Sequence, residues 1–156
     1  MMKILWTVNL IPANVASKIG VSSDVLGGWV ESMAKELKEF NDIELAIACK
    51  CENGEFFEET VDGIQYYSLA YTHSTSSEEI EKRFAEIIEK FKPDLIHSEG
   101  TEFLHAKVVL EISEKLHITT VTSMQGILNG QYNYQCGQLQ IDDLIFSKTL
   151  TNIFAG

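Results

Sequence analysis

The chain is short of proline, of basic residues and of long apolar runs, and each shortage narrows what it can be. Two prolines in 156 residues, with 45% apolar residues, exclude a proline-rich linker or a disordered segment. Lys and Arg number 12 against 23 Asp and Glu, a net charge of −11. That field repels phosphate backbones and anionic lipid, so no nucleic-acid partner and no polybasic membrane anchor are expected. No apolar stretch approaches the roughly 20 residues that cross a bilayer. Met1-Met2-Lys3 leads straight into a strand-length apolar run, without the pattern of a secretory signal. Cys49, Cys51 and Cys136 form an odd set with no suitably spaced metal ligands. Buried or idle thiols in a reduced, cytoplasmic setting account for them better than a metal or redox role.

Two nucleotide signatures are also missing. Gly-x-Gly-x-x-Gly does not follow the first strand, which argues against a nicotinamide or flavin enzyme, and no Gly-Lys-Ser/Thr loop occurs, so a P-loop enzyme is excluded at motif level. The acidic stretches 52–59 and 78–89 read as solvated faces rather than metal sites.

What is present is an alternation of strands and helices in a chain long enough for one domain. Residues 3–10 read as a strand, and a long loop of small and polar residues follows, ending in Gly27-Gly28-Trp29. Val30, Met33, Ala34, Leu37 and Phe40 then repeat at helical spacing. Residues 43–49 alternate as a strand, and two further apolar runs flank the turn pair Asp62-Gly63. Ser76 and Glu79 make a capping box for a helix with its apolar stripe at Ile80, Phe84, Ile87, Ile88 and Phe91. Pro93 stops that helix. A strand at 94–98, a helix carrying Phe103, Ala106, Val109, Leu110 and Leu116, and a β-branched strand at 118–124 complete the clear pattern. Residues 128–137 lack periodicity, and Ile141, Leu144, Ile145, Thr149, Ile153 and Phe154 point to a last helix. The expected fold is α/β, a Rossmann-like parallel sheet with helices on both faces in three layers.

Ligands of such sheets collect at the carboxyl ends of the strands. Three glycine-containing turns fall there: residues 9–29, Ser98-Glu99-Gly100 and Gln125-Gly126-Ile127. Gly27-Gly28 at a helix start frees backbone N–H groups for an anionic or polyhydroxylated ligand, though a permissive helix start explains it equally. Trp29 either stacks on a ligand ring or packs within the helix. Glu99 is a base or a hydroxyl acceptor, or else a solvated carboxylate near the next helix's positive end. Gln125 can hold a sugar hydroxyl, but its neutral amide is no general base. His97, inside a strand, reads as a half-buried structural histidine.

In order and spacing these segments resemble the amino-terminal domain of a GT-B glycosyltransferase of the retaining kind grouped as family 4. The resemblance rests on residues 27–31 with the helix that follows, on 61–67, on Lys92-Pro93-Asp94-Leu95-Ile96-His97-Ser98-Glu99-Gly100, and on Ser123-Met124-Gln125-Gly126. It implies the acceptor-side half of a two-domain enzyme, residues 1–156 forming one truncated domain without the donor-binding domain in cis. The intact enzyme would move a sugar from a nucleoside diphosphate donor to a saccharide or lipid-linked acceptor, in surface polysaccharide or glycoconjugate synthesis. No cofactor or metal is implied. Gly27 and Gly28 would approach the donor phosphates, with Trp29, Glu99 and Gly126 lining the substrate site. Gln125 stands where many relatives place a histidine that contacts the transferred sugar. The fragment alone is expected to be inactive. A nucleotide-sugar epimerase of the same architecture is the second reading; it needs an acid/base pair, and no convincing histidine–carboxylate pair is legible in the sequence. A non-catalytic carbohydrate- or nucleotide-binding module is the third.

Overall fold

The computed structural model describes residues 1–21, 28–51, 56–70, 72, 74–101 and 103–124. One compact unit spans Met1–Ser123. The expected last helix, Cys136 and the aperiodic stretch before it lie outside the described residues.

The unit runs β1 (Met2–Val8), α1 (Ala13–Ile19), α2 (Gly28–Lys38), β2 (Ile43–Cys51), β3 (Glu58–Val61), β4 (Ile64–Ala70), α3 (Ser77–Phe91), β5 (Leu95–Glu99), α4 (Leu104–Leu116) and β6 (Thr119–Ser123). The sheet order is β3-β4-β2-β1-β5-β6. Every pairing is parallel except β3 with β4. The α/β class read from the alternation of elements is the class observed.

Local chemistry explains the boundaries. At the hairpin, Asp62 and Gly63 both take positive φ (52° and 74°), which a two-residue turn with the right strand twist requires. Ser76 accepts from the Glu79 N–H at 3.2 Å while Glu79 accepts from the Ser76 N–H at 2.9 Å, closing the capping box. Lys92 ends α3 in the left-handed conformation just before Pro93.

Strand alternation sorts the core onto two faces. Leu5, Ala46, Ala48, Leu69 and Ile96 meet the α3 stripe of Ile80, Phe84, Ile87, Ile88 and Phe91, together with Val108, Val109 and Ile112 of α4. Trp6, Val8, Leu45, Ile47, Cys49 and Tyr66 face the other way, toward Val15 of α1 and Val30 and Ala34 of α2. Cys49 and Cys51 are both buried and unoxidised. Burial drives the Cys49 thiol pKa well above its usual range.

Three sequence expectations need correction. The long first loop contains α1, which starts after Pro12 and ends at Gly20 with φ 74°. Met33 and Phe40 were expected in the apolar stripe of α2, yet they are 47% and 57% exposed. The helix ends at Lys38, so Phe40 lies beyond it, and the buried face narrows to Val30 and Ala34 with Leu37 alongside. Leu116 closes α4 on its exposed side, while His105, Val108 and Ile112 take the inner positions.

Candidate functional site

Strand order locates the site before any side chain is considered. From β1 the chain moves outward through β2 to β4 and β3; α3 then returns it across the sheet to β5 and β6 on the opposite flank of β1. Open α/β sheets bind ligands outside the carboxyl ends that flank such a reversal. Here those ends are Val8 of β1 and Glu99 of β5, with Ser123 of β6 beside them.

At this reversal four side chains form a connected cluster. Trp6 and His97 are Cα partners between β1 and β5, and Glu99 and Ser123 are Cα partners between β5 and β6. The Trp6 indole N–H donates to His97 Nδ1, and the two rings sit 5.4 Å apart, tilted by 51°. His97 Nε2 lies 2.6 Å from Ser123 Oγ and 3.3 Å from Glu99 Oε1. Glu99 is only 4% exposed. Burial lowers the His97 pKa and raises that of Glu99. Desolvation thus opposes charge on both partners. The contact is best described as a hydrogen bond from a neutral imidazole.

This corrects one reading of the sequence: a histidine–carboxylate pair does exist in this half. His97 is half-buried, as its strand position implied, but it is joined to Glu99 rather than merely packed. The spacing of two residues along β5 was the available signal, because it puts both side chains on one face. Trp6 and Ser123 gave no such signal, since they reach His97 only through strand pairing.

The opposite face at the same edge is polar as well. Thr7 and Ser98 are Cα partners and fully buried, and their hydroxyl oxygens have no hydrogen-bond partner among the described residues. His105, in the first turn of α4, is completely buried and stacks on Phe103 with ring centroids 5.6 Å apart. Burial, with a smaller contribution from the Lys50 charge, pulls its pKa down to about 4.

The remaining candidates are placed as follows. Gly28 is the first residue of α2 and is exposed; its carbonyl accepts from Ser32 Oγ at 2.9 Å. A Cβ added there would meet nothing within 4 Å, so packing does not demand a glycine. Trp29 is half-buried against the core cluster on the α1/α2 side. Gly27, Gln125 and Gly126 lie outside the described residues. Among the described residues no group of three or more His, Cys, Asp or Glu is placed to hold a metal ion, and no helix is long and apolar enough to cross a membrane. A separate cavity of about 280 Å³ lies between α3 and the end of β4, walled by Phe56, Leu69, Ile80 and Arg83. It includes none of the Trp6–His97–Glu99–Ser123 cluster.

No protein-family description and no curated protein sequence matches the chain. Among solved structures it is similar to a sucrose-phosphate synthase from Thermosynechococcus elongatus, with 11% identity and a TM-score of 0.60 over 96% of this chain. It also aligns with a UDP-GlcNAc 2-epimerase from Neisseria meningitidis bound to UDP-GlcNAc, with 18% identity and a TM-score of 0.49 over 78% of this chain. The chain spans 40% of the length of the first and 31% of the second. At such identities the likeness is one of fold.

Proposed function

We propose that the chain is the acceptor-side half of a GT-B glycosyltransferase, one that moves a sugar from a nucleoside diphosphate donor to a saccharide or lipid-linked acceptor. The observation that carries this reading is the Glu99 carboxylate at the β1/β5 reversal, held by His97 where open α/β sheets receive ligands. The order of the sequence motifs and a fold shared with a sucrose-phosphate synthase support it. In this reading Gly27 and Gly28 face the donor phosphates. Trp29, Glu99 and Gly126 line the substrate site, and Gln125 touches the transferred sugar. A second domain in cis supplies the donor site, so this chain by itself turns over no nucleotide sugar.

One observation favours a second reading. A nucleotide-sugar epimerase needs acid/base residues, and His97 with Glu99 is such a pair. Exchange of a sugar C–H hydrogen with solvent deuterium, measured on the intact enzyme, separates the two: an epimerase that works by deprotonation exchanges it and a transferase does not.

Saturation-transfer NMR against oligosaccharides and nucleotide sugars tests the site directly. The acceptor-side reading expects oligosaccharide signal from the chain alone and its loss in Glu99→Gln. In the intact enzyme Gly28→Val, whose added Cβ meets nothing within 4 Å, is expected to weaken nucleotide-sugar binding while the far-ultraviolet spectrum is kept. Unchanged binding in both variants, or sugar transfer by the purified chain, would refute the assignment.

A further inference from the structure

We propose that Trp6 is a positioning residue: it fixes the tautomer of His97 and thereby turns Glu99 and Ser123 into a matched acceptor and donor for a hydroxyl group of a neutral sugar. The proposal rests on the placement of the substrate site given above and adds what that site accepts.

An indole nitrogen can only donate, and it donates to His97 Nδ1. Nδ1 is therefore the lone-pair nitrogen, and the neutral ring carries its hydrogen on Nε2. That N–H faces Ser123 Oγ at 2.6 Å and Glu99 Oε1 at 3.3 Å, so both oxygens accept from it. A serine hydroxyl that accepts keeps its own hydrogen free to donate. An ionised carboxylate has about four lone-pair sites, so Glu99, whose Oε1 meets the ring N–H, keeps the capacity to accept a further hydrogen. The reversal between β1 and β5 thus presents one hydroxyl donor next to one carboxylate acceptor.

A sugar hydroxyl, which donates and accepts at once, complements that pair. A phosphate does not, because its charge would meet the Glu99 carboxylate. Protonating His97 would set an Nδ1–H against the indole N–H, donor against donor, so the ring cannot charge without breaking the Trp6 contact. Glu99 is the titratable group in contact with the ring; β1 contributes Trp6 and β6 contributes Ser123.

The test is a long-range ¹H–¹⁵N correlation of the histidine rings in the ¹⁵N-labelled chain at neutral pH, without ligand. Expected are a protonated Nε2, an unprotonated Nδ1, and a nitrogen–nitrogen coupling from Trp6 Nε1 across the hydrogen bond. A ring protonated on Nδ1 overturns the lock. Trp6→Phe removes the donor, and its ring signals should shift toward a mixture of tautomers. Monosaccharide or oligosaccharide binding should weaken about five- to tenfold, the usual worth of one hydrogen bond. Retention of a single Nε2–H tautomer in that variant assigns the lock to something other than Trp6 and overturns the proposal. Should the variant fail to fold, the wild-type coupling decides alone. Titration with inorganic phosphate beside a neutral saccharide decides the ligand: phosphate, rather than saccharide, shifting the Ser123 and Glu99 signals overturns the hydroxyl assignment. Failure of the acceptor-side reading would show in the saccharide titration and leave the ring measurement standing, so the two are told apart.

Discussion

Lowering the pH from 7 to 4 should destabilise this domain chiefly through His105, and the size of the loss follows from its surroundings. The side chain has no solvent exposure, lies against the Phe103 ring and feels the Lys50 charge. Its folded pKa is about 4, against 6.5 for a free histidine. The unfolded chain therefore takes up a proton first as the pH falls. Stability is fully present above the unfolded value and drains away between the two. Linkage gives a loss of about 2 kcal/mol by pH 5 and about 3 kcal/mol by pH 4. That is a large share of the 5–15 kcal/mol typical of a domain. The N-terminal position of His105 on α4 acts in the same direction, because a helix start disfavours positive charge. The assay is urea unfolding at pH 7, 6, 5 and 4 for the wild type and for His105→Leu, which keeps an apolar side chain of similar size. The wild type should lose more stability than the variant by the amounts above. His97 and Glu99 titrate in both proteins, so they cancel in the difference. Parallel pH profiles for the two proteins would refute the reasoning.

Two further outcomes follow from local structure. Ser76→Ala removes one arm of the capping box and leaves the Glu79 N–H without its side-chain acceptor, so unfolding midpoints in urea should report a loss of about 1 kcal/mol. Cys49 and Cys51 are fully buried and the Cys49 thiol is held protonated; in a Cys136→Ser variant a thiol reagent should label them at a rate tracking unfolding, and rapid labelling of that variant under native conditions would contradict the packing.

How much of this was legible in the sequence depended on range. The α3 stripe, its capping box and the Asp62-Gly63 turn are written within a few residues each, and the structure has them as read. Helix α1 is only seven residues long, with Val15 and Ala16 alone buried, so no full period of apolar residues announced it. Pro12 and Gly20 were its only punctuation. Phe40 was over-read because an apolar residue at the right spacing says nothing about where the helix stops. The site divides in the same way. Glu99 is legible as a polar residue at a strand end, whereas its pairing with His97 was missed, although a two-residue spacing along β5 puts both side chains on one face. The bond that orients His97 comes from Trp6, on a strand whose adjacency to β5 is a matter of topology rather than pattern.

That adjacency also sets a clock on folding. β1 emerges first but occupies the middle of the sheet, with β2 on one flank and β5 on the other. Ninety-one residues separate Trp6 from His97, and at common rates of synthesis roughly 5–20 s pass between their appearances. Through that interval β1 has no native partner for its β5 edge, and contacts of such long range are among the slowest to form. The cluster at the strand reversal is therefore among the last parts of the sheet to assemble during translation.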